Sequence, residues 1–254
     1  MLLAIDMGNT NIEVGLMDGE HQIFSERLFT DLKKTETEYA VLLHTIFEIR
    51  NIEESVVDGA IISSVVPPLT HIMEVAILKS FGVQPLIVGP GVKNGLKIRI
   101  EEPKTLGADL VVDSVGAIEL YGAPVIVIDM GTATTIVAID KERNYLGGVV
   151  VAGVGVSLNA LSTGTSLLPR IALDPPKSVI GSNTADAMRA GIIYGQAAMI
   201  DGIVDRMFTE LGYETKIVAT GGLSNMIIPH CSHEITIDGE LMIKGLKIIY
   251  DRNQ

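Results

Sequence analysis

Ile5-Asp6-Met7-Gly8-Asn9-Thr10 and Ile128-Asp129-Met130-Gly131-Thr132-Ala133 are two versions of one glycine-centred turn. Nearly half of the 254-residue chain separates them. In each, an apolar run leads into Asp-Met-Gly and small polar residues, and a second apolar run follows. This pattern is typical of a β-hairpin with an acidic residue at its bend. The repetition predicts a duplicated α/β fold in which each half has its own copy of the turn.

The residue types at the two turns are suited to binding phosphate. Glycine lets the backbone approach a polyanion closely, while Asn9, Thr10, Thr132 and backbone N–H groups supply uncharged donors. An aspartate beside a bound phosphate requires a neutralising cation, so the pattern also indicates a metal ion or metal-bound water. Asp, Gly, Asn and Thr are ordinary hairpin residues as well, and a single copy would carry little weight. Two matched copies favour a nucleotide cleft between two domains.

Length and composition limit the number of domains and the expected location of the protein. A chain of 254 residues suits one large domain or two smaller ones, and the repeat favours two, predicted as residues 1–114 and 115–254. No apolar run is long enough to span a bilayer, no secretion signal is evident, and Cys231 is the single cysteine, so a cytoplasmic location without membrane attachment is expected.

Charge argues against nucleic-acid binding. The net charge is −12, with 31 acidic and 19 basic residues, and no basic cluster or aromatic platform is present. The P-loop pattern is also absent. A polyphosphate ligand would therefore depend on metal ions and backbone donors rather than on a basic surface.

Periodicity predicts alternating strands and helices in both halves. The glycines at 147, 148, 153 and 155 suit a close approach of the backbone either to a ligand or to a neighbouring strand. Likewise, Gly221 and Gly222 suit either a purine ring or close packing. The predicted strands cover three stretches of residues 2–30, then 59–66, 85–88, 125–128, 133–139, 144–151 and 216–219, and the predicted helices cover 34–50, 67–79, 104–121, 185–211 and 239–250.

Several short motifs in one order resemble the type III pantothenate kinases over essentially the whole chain. They are Asp6-x-Gly8-Asn9-Thr10, Gly107-Ala108-Asp109, Asp129-x-Gly131-Thr132-Ala133-Thr134-Thr135, Gly147-Gly148, Asn183-Thr184 and Ala219-Thr220-Gly221-Gly222. The resemblance implies two ribonuclease H-like domains of the actin, Hsp70 and sugar kinase superfamily, with ATP between them. It also implies a homodimer that phosphorylates pantothenate at the first step of coenzyme A synthesis. The many apolar positions of the predicted helix 185–211, including Ile192, Met199 and Ile203, likewise favour a homodimer.

The resemblance also implies roles for individual residues. Asp109 would be the general base, Asp129 would bind a monovalent cation, K⁺ or NH₄⁺, and Mg²⁺ would accompany ATP. The ATP-binding residues would be Asp6, Met7, Gly8, Asn9, Thr10, Asn11, Ile12, Glu13, Thr132, Gly221 and Gly222. The acceptor site would comprise Ile100, Gly107, Ala108, Asp109, Leu110 and Thr184. From residue type alone, Asp109 could equally be a favourable charge in the first turn of a helix.

Three positions depart from the family pattern. Leu110 replaces an arginine, Ile100 replaces a tyrosine, and Ala152 replaces a proline. An arginine contact is typically worth about 1.5 to 3 kcal/mol, and leucine does not replace it. Arg99 and Arg170 are the basic residues considered as substitutes.

These departures leave three functions open. The first is a pantothenate kinase, the second is a non-catalytic ATP-binding regulatory paralogue, and the third is a kinase of the same fold for another small hydroxylated acceptor. Retention of Asp109 favours the two enzymes, and loss of the arginine and tyrosine favours the second or third function.

Overall fold

The computed structural model describes all 254 residues, and they divide into two compact units. The first unit consists of Met1–Leu96, Glu102–Gly116 and Leu241–Gln254. The second consists of Lys97–Glu101 and Ala117–Glu240. None of the helices has both the length and the apolar character needed to span a bilayer.

The first unit contains a five-stranded sheet in the order β3-β2-β1-β4-β5. Strands β1, β2 and β3 form an antiparallel meander, and β4 and β5 run parallel to β1. Leu3, Ala4 and Ile5 in the middle of β1 are fully buried, as expected for a strand covered on both faces. The strands are β1 (Leu2–Met7), β2 (Asn11–Asp18), β3 (His21–Phe29), β4 (Gly59–Ser64) and β5 (Leu86–Ile87).

Two helices of the first unit begin at or within two residues of their predicted starts. Helix α1 (Glu36–Ile49) opens with a capping box, in which Thr35 caps the backbone of Glu38 and the Glu38 carboxylate accepts from the N–H of Thr35. Helix α2 (Pro67–Phe81) begins at a proline, whose fixed φ suits a first helical position. Tyr39, Leu43 and Phe47 of α1 are buried against the sheet core.

The second unit repeats the topology of the first. Its sheet has the order β11-β10-β7-β8-β9-β6, so β9-β8-β7-β10-β11 corresponds to β3-β2-β1-β4-β5, with β6 added at one edge. The strand directions also correspond. The prediction of two duplicated ribonuclease H-like domains is therefore confirmed. The strands are β6 (Lys97–Ile98), β7 (Val125–Met130), β8 (Ala133–Ile139), β9 (Asn144–Ala152), β10 (Lys216–Thr220) and β11 (Thr236–Ile237).

The helices of this half include one that the sequence does not predict. Helix α4 (Val154–Thr163) lies in the glycine-rich stretch, where Gly153 and Gly155 lower the helical signal. The long helix α5 begins at Thr184, with Asn183 as its N-cap. The remaining helices are α3 (Ala108–Tyr121), α4 (Val154–Thr163), α5 (Thr184–Leu211), α6 (Ser224–Ile227) and α7 (Leu241–Asp251), with short 3₁₀ helices at Glu54–Val56, Pro103–Thr105 and Ile228–His230.

Helix α7 packs in the first unit, although it comes last in sequence. Its buried residues Leu241, Ile243 and Leu246 cover β1 and β4. Gly59 of β4 lies so close to Tyr250 that a Cβ would fall 2.0 Å from the tyrosine hydroxyl. The predicted second domain, residues 115–254, therefore differs from the compact unit at this segment. The apolar face of α7 is visible in the sequence, but the sheet that it covers is not.

Candidate functional site

The first turn, residues 8–10, joins β1 to β2 and leaves polar groups exposed. Asn9 and Thr10 are exposed, while Asp6 is half-buried near the end of β1. The N–H of Gly8 donates to the Asn11 carbonyl at 3.0 Å, which closes the turn. The predicted hairpin with an acidic residue beside its bend is therefore present, and its exposed tip carries amide and hydroxyl groups.

Two of the predicted ATP-binding residues have side chains that point into the core. Met7 and Ile12 are fully buried in the hydrophobic cluster of the first unit, so only their backbone is available to a ligand. The exposed Asn11 begins β2, and Glu13 is half-buried farther along the same strand. The Ser25 hydroxyl donates to the Glu13 carboxylate at 2.6 Å. This bond fixes a carboxylate on the strand that pairs with Asp6.

The end of β4 lies beside the first turn. Asp6 and Ser63 are partners across the parallel β1–β4 pair, and the N–H of Val65 donates to the Met7 carbonyl at 3.1 Å. Neighbouring residues of paired strands point to the same face, so Glu13, Asp6 and Ser63 form one row across β2, β1 and β4. The Ser63 hydroxyl is fully buried and has no hydrogen-bond partner. A serine in a buried strand gives no distinctive sequence pattern, so Ser63 is not among the predicted site residues.

Asp109 lies in the first turn of α3, at the same edge of the first unit's sheet. A Cβ added to Gly107 would lie 3.5 Å from a Val65 methyl carbon, which places this segment beside the residue that follows β4. The same Cβ would lie 2.3 Å from the Asp109 carboxylate. Glycine at position 107 therefore provides the space that the Asp109 side chain occupies.

The environment of Asp109 makes its carboxylate a stronger base. Burial raises the pKa of the Asp109 carboxyl above its ordinary value, and backbone N–H groups, including that of Leu110 at 2.8 Å, partly offset the rise. A half-buried carboxylate with a raised pKa is typical of a functional site. The helix dipole would lower the pKa of an aspartate in a first helical turn, so burial outweighs this effect at Asp109.

Gly107, Ala108 and Leu110 flank this carboxylate, and all three are half-buried. Leu110 presents an aliphatic side chain where the family pattern has an arginine, so it adds no cation to this segment. The Leu110 carbonyl accepts from the Ser114 hydroxyl at 2.6 Å within α3.

The second turn, residues 131–132, joins β7 to β8 in the other unit. Thr132 is exposed, and Asp129 is half-buried near the end of β7. Asp129, Thr135 and Thr220 form a row across β7, β8 and β10 that corresponds to Asp6, Glu13 and Ser63 of the first unit. The two turns therefore occupy equivalent places in equivalent sheets.

Gly221 packs directly on the strand that carries Asp129. With φ of +90°, Gly221 adopts a backbone conformation that favours glycine. A Cβ there would lie 2.6 Å from backbone atoms of Met130 and 2.7 Å from the Asp129 carboxylate. Gly222 follows and is exposed. The close packing considered for Gly221 is thus observed, and it brings Asp129 and the Gly-Gly segment together.

Two residues outside the predicted site hold the turns: Thr30, which the sequence did not single out, and Gly153, whose predicted role was only a close backbone approach to a ligand or a strand. Thr30, which follows β3, donates from its hydroxyl to the Gly8 carbonyl at 2.7 Å and from its N–H to the Thr10 carbonyl at 3.0 Å. Gly153, which follows β9, donates from its N–H to the Thr132 carbonyl at 3.1 Å. The signal available in the sequence was positional, because each follows the third strand of its half.

The remaining acceptor-side residues lie elsewhere in the second unit. Ile100 follows β6, and its side chain lies near Gly147, in the middle of β9 rather than beside the second turn. Thr184 is exposed at the start of α5. Gly148 packs against the Ile136 carbonyl, so this glycine serves the approach of a neighbouring strand.

Arg99 and Arg170, the two basic residues that could replace the missing arginine, both lie in the second unit. The Arg99 Nε is 3.5 Å from the Asn144 Oδ1 at the start of β9, whereas the second turn is next to the end of that strand. Arg170 is exposed in the segment between α4 and α5.

The carboxylates near the first turn fit a metal ion that is bound mainly through the phosphates of a nucleotide. No group of three histidine, cysteine, aspartate or glutamate side chains is arranged as a metal cage. Mg²⁺ in phosphotransfer sites typically uses one or two carboxylates, substrate phosphates and water. The half-buried Asp6 and Glu13, on paired strands beside the first turn, provide donors of this kind.

Comparison with known proteins gives matches over the whole chain. The family model described as type III pantothenate kinase matches residues 2–206. A protein named type III pantothenate kinase from an Exiguobacterium species is 44% identical over 254 residues, which is 100% of both chains.

Solved structures show the same fold at low sequence identity. A protein described as a 2-dehydro-3-deoxygalactonokinase from Sinorhizobium meliloti has a TM-score of 0.61, with 12% identity and 98% of each chain covered. A protein described as a Baf family transcriptional activator from Campylobacter jejuni has a TM-score of 0.59, with 20% identity and 99% and 98% covered. At these identities the likeness concerns the fold alone.

Proposed function

Because this chain belongs to the type III pantothenate kinase family, we propose that Asp109 is the base of its reaction and that the two turns hold ATP. The chain is an enzyme that phosphorylates pantothenate with ATP, the first step of coenzyme A synthesis. The roles of the individual residues are the proposal, and the environment of Asp109 is the observation that carries it.

Asp109 would accept a proton from the pantothenate hydroxyl. As the hydroxyl oxygen bonds to the γ-phosphorus of ATP, the bond between that phosphorus and its bridging oxygen breaks, and ADP leaves. The raised pKa of Asp109 suits this role, because a general base is most effective when its pKa approaches the working pH. Gly107 supports the role by leaving the carboxylate its space.

Backbone and side-chain donors of the turns would hold the phosphates. Gly8, Asn9 and Thr10 in the first unit and Thr132 in the second present exposed or half-buried donors at strand ends. Asp6 and Glu13 would hold Mg²⁺ through its water ligands. When bound, Mg²⁺ neutralises charge on the phosphates.

Asp129 would hold a monovalent cation, K⁺ or NH₄⁺. The Asp129 carboxylate lies against Gly221, beside the turn that would hold phosphate. Gly221 and Gly222 would line the adenosine. A cation there would allow a carboxylate to remain close to bound phosphate.

The pantothenate site would be lined by Leu110, Ile100, Ala108 and Thr184. With leucine and isoleucine at two positions, the site would bind pantothenate more through apolar contacts and less through a charged anchor. We expect weaker binding of the pantothenate carboxylate, because a leucine side chain has no hydrogen-bond donor.

The proposal includes a homodimer and a cytoplasmic location, where ATP for coenzyme A synthesis is available. The apolar positions of α5 do not support the dimer as the sequence suggested. Ile192, Ile193, Ile200 and Val204 are buried in the core of the second unit, and Met199 and Ile203 pack against it. Support comes instead from exposed apolar side chains of that unit, namely Val150 (69% exposed), Leu167 (90%), Val179 (67%) and Ile180 (87%).

The test is ATP turnover with pantothenate, set beside a panel of small alcohols and measured with and without Mg²⁺ and K⁺. We expect turnover with pantothenate that depends on Mg²⁺ and increases with K⁺. Asp6→Asn should reduce the Mg²⁺ response, and Asp129→Ala should abolish the K⁺ response. An unchanged metal response in both variants would remove these two assignments. Preference for another alcohol would show that Leu110 and Ile100 redirect the acceptor site.

A further inference from the structure

Each turn is held by the first residue after the last strand of the antiparallel meander in its own unit. In the first unit this residue is Thr30, whose N–H donates to the Thr10 carbonyl. In the second it is Gly153, whose N–H donates to the Thr132 carbonyl. Because β9-β8-β7-β10-β11 corresponds to β3-β2-β1-β4-β5, the two bonds are one feature that occurs twice.

Thr30 adds a second bond that Gly153 lacks. Its hydroxyl donates to the Gly8 carbonyl at 2.7 Å, and the residue is only 7% exposed. Thr30 therefore binds two carbonyls of one short turn. In the second unit, a Cβ on Gly153 would lie 2.4 Å from the Thr132 carbonyl oxygen, so that position has no room for a side chain.

These bonds determine which way the donors of the first turn point. A peptide unit is planar and trans, so its C=O and the following N–H point in opposite directions. When the Gly8 carbonyl points toward Thr30, the Asn9 N–H points away from it. The Thr30 N–H likewise holds the Thr10 carbonyl, so the Asn11 N–H of the same peptide unit points away from Thr30.

We propose that Thr30 is a positioning residue for ATP, which acts by orienting the N–H groups of the first turn toward the phosphates. The inference rests on the proposed function, in which that turn holds ATP. Thr30 itself touches neither substrate in this scheme. Its hydroxyl keeps the turn in the binding conformation before ATP arrives, which lowers the cost of ordering it.

The test compares Thr30→Val with Thr30→Ser. Valine has nearly the shape of threonine but no hydroxyl, whereas serine keeps the hydroxyl. We expect Thr30→Val to raise the KM for ATP about three- to tenfold, the range for one net hydrogen bond, with the KM for pantothenate within about twofold. Thr30→Ser should restore most of the affinity for ATP.

The matched control is Thr45→Val, since the Thr45 hydroxyl donates to the Val41 carbonyl at 2.7 Å within α1, away from the turn. It should leave both KM values unchanged. A Thr30→Val enzyme that behaves like Thr45→Val, or one whose two KM values rise equally, would overturn the proposal. If Thr30→Val does not fold, Thr30→Ala repeats the comparison without the extra methyl group.

Asp6→Asn separates failure of this inference from failure of the proposed function. If Asp6→Asn changes the KM for ATP and Thr30→Val does not, the turn still binds ATP and Thr30 does not position it. If neither variant changes it, the turn does not hold the phosphates, and both ideas are wrong.

Discussion

At the scale of single residues, Asp109 is the side chain whose loss is most informative. We expect Asp109→Asn to lower kcat by about 10²- to 10⁴-fold, because asparagine is nearly isosteric but does not accept the proton. ATP binding should remain nearly intact, since a base acts on the acceptor and not on the nucleotide. Steady-state kinetics and calorimetry with ATP measure the two effects. Full activity in this variant would place the base elsewhere.

The raised pKa of Asp109 also predicts how activity and stability depend on pH. As pH falls through this pKa, which lies above the ordinary value of about 3.9, protonation removes the base and kcat/KM for pantothenate declines. The folded state binds the proton more tightly than the unfolded state, so this group lowers stability as pH rises through the same range. Asp109→Asn should therefore raise Tm at neutral pH. An unchanged or lower Tm would contradict the burial cost.

Leu110 provides a gain-of-function test on the acceptor side. We expect Leu110→Arg to lower the KM for pantothenate about tenfold and to change kcat less, because an anchoring charge acts alike on ground and transition states. Leu120→Arg is the control, since it adds the same charge at an exposed position near the end of the same helix. Equal effects of the two variants would indicate a general charge effect instead of a contact.

At the scale of elements, the packing of α7 is set by close contacts at glycine. A Cβ on Gly245 would lie 2.4 Å from the Val112 carbonyl oxygen of α3. We expect Gly245→Ala to reduce the free energy of unfolding by about 1 to 3 kcal/mol, because the two helices would have to move apart. Chemical denaturation measures the change.

The control for this substitution is Gly195→Ala in α5, where a Cβ meets no atom within 4 Å. There alanine should stabilise the protein by up to about 1 kcal/mol, because glycine in a helix is entropically costly. If both variants are equally stable, the contact between α7 and α3 does not constrain the helix.

The elements also show which parts of the fold could be predicted from the sequence. The paired Asp-Met-Gly turns predicted the duplicated sheets, because local turn chemistry and apolar alternation are both short-range signals. Helix α4 was missed because Gly153 serves the second turn and weakens the helical pattern. The partner sheet of α7 was missed because its contacts span most of the chain. At the candidate site, the repeated turn singled out Asp6 and Asp129 and the family resemblance singled out Asp109, whereas the contacts of Thr30 and Ser63 are visible only in the structure.

At the scale of the whole molecule, the proposed homodimer is testable at the exposed apolar side chains of the second unit. We expect light scattering to give about twice the 27.1 kDa monomer mass. Leu167→Lys combined with Ile180→Lys should shift the protein toward the monomer, because each places a charge in an apolar interface. Ile49→Lys, at an apolar position of the first unit that is 71% exposed, is the control. A monomer at micromolar concentration before any substitution would contradict the proposal.

The position of α7 in the sequence has a consequence for synthesis on the ribosome. Strands β1 and β4 emerge early, but the helix that covers them is translated only after the entire second unit. All strands of the second unit are therefore synthesised before α7. The apolar surface of β1 and β4 is covered only when Leu241, Ile243 and Leu246 have been synthesised. During that interval the nascent first unit presents an uncovered sheet face, which is the kind of surface that chaperones bind.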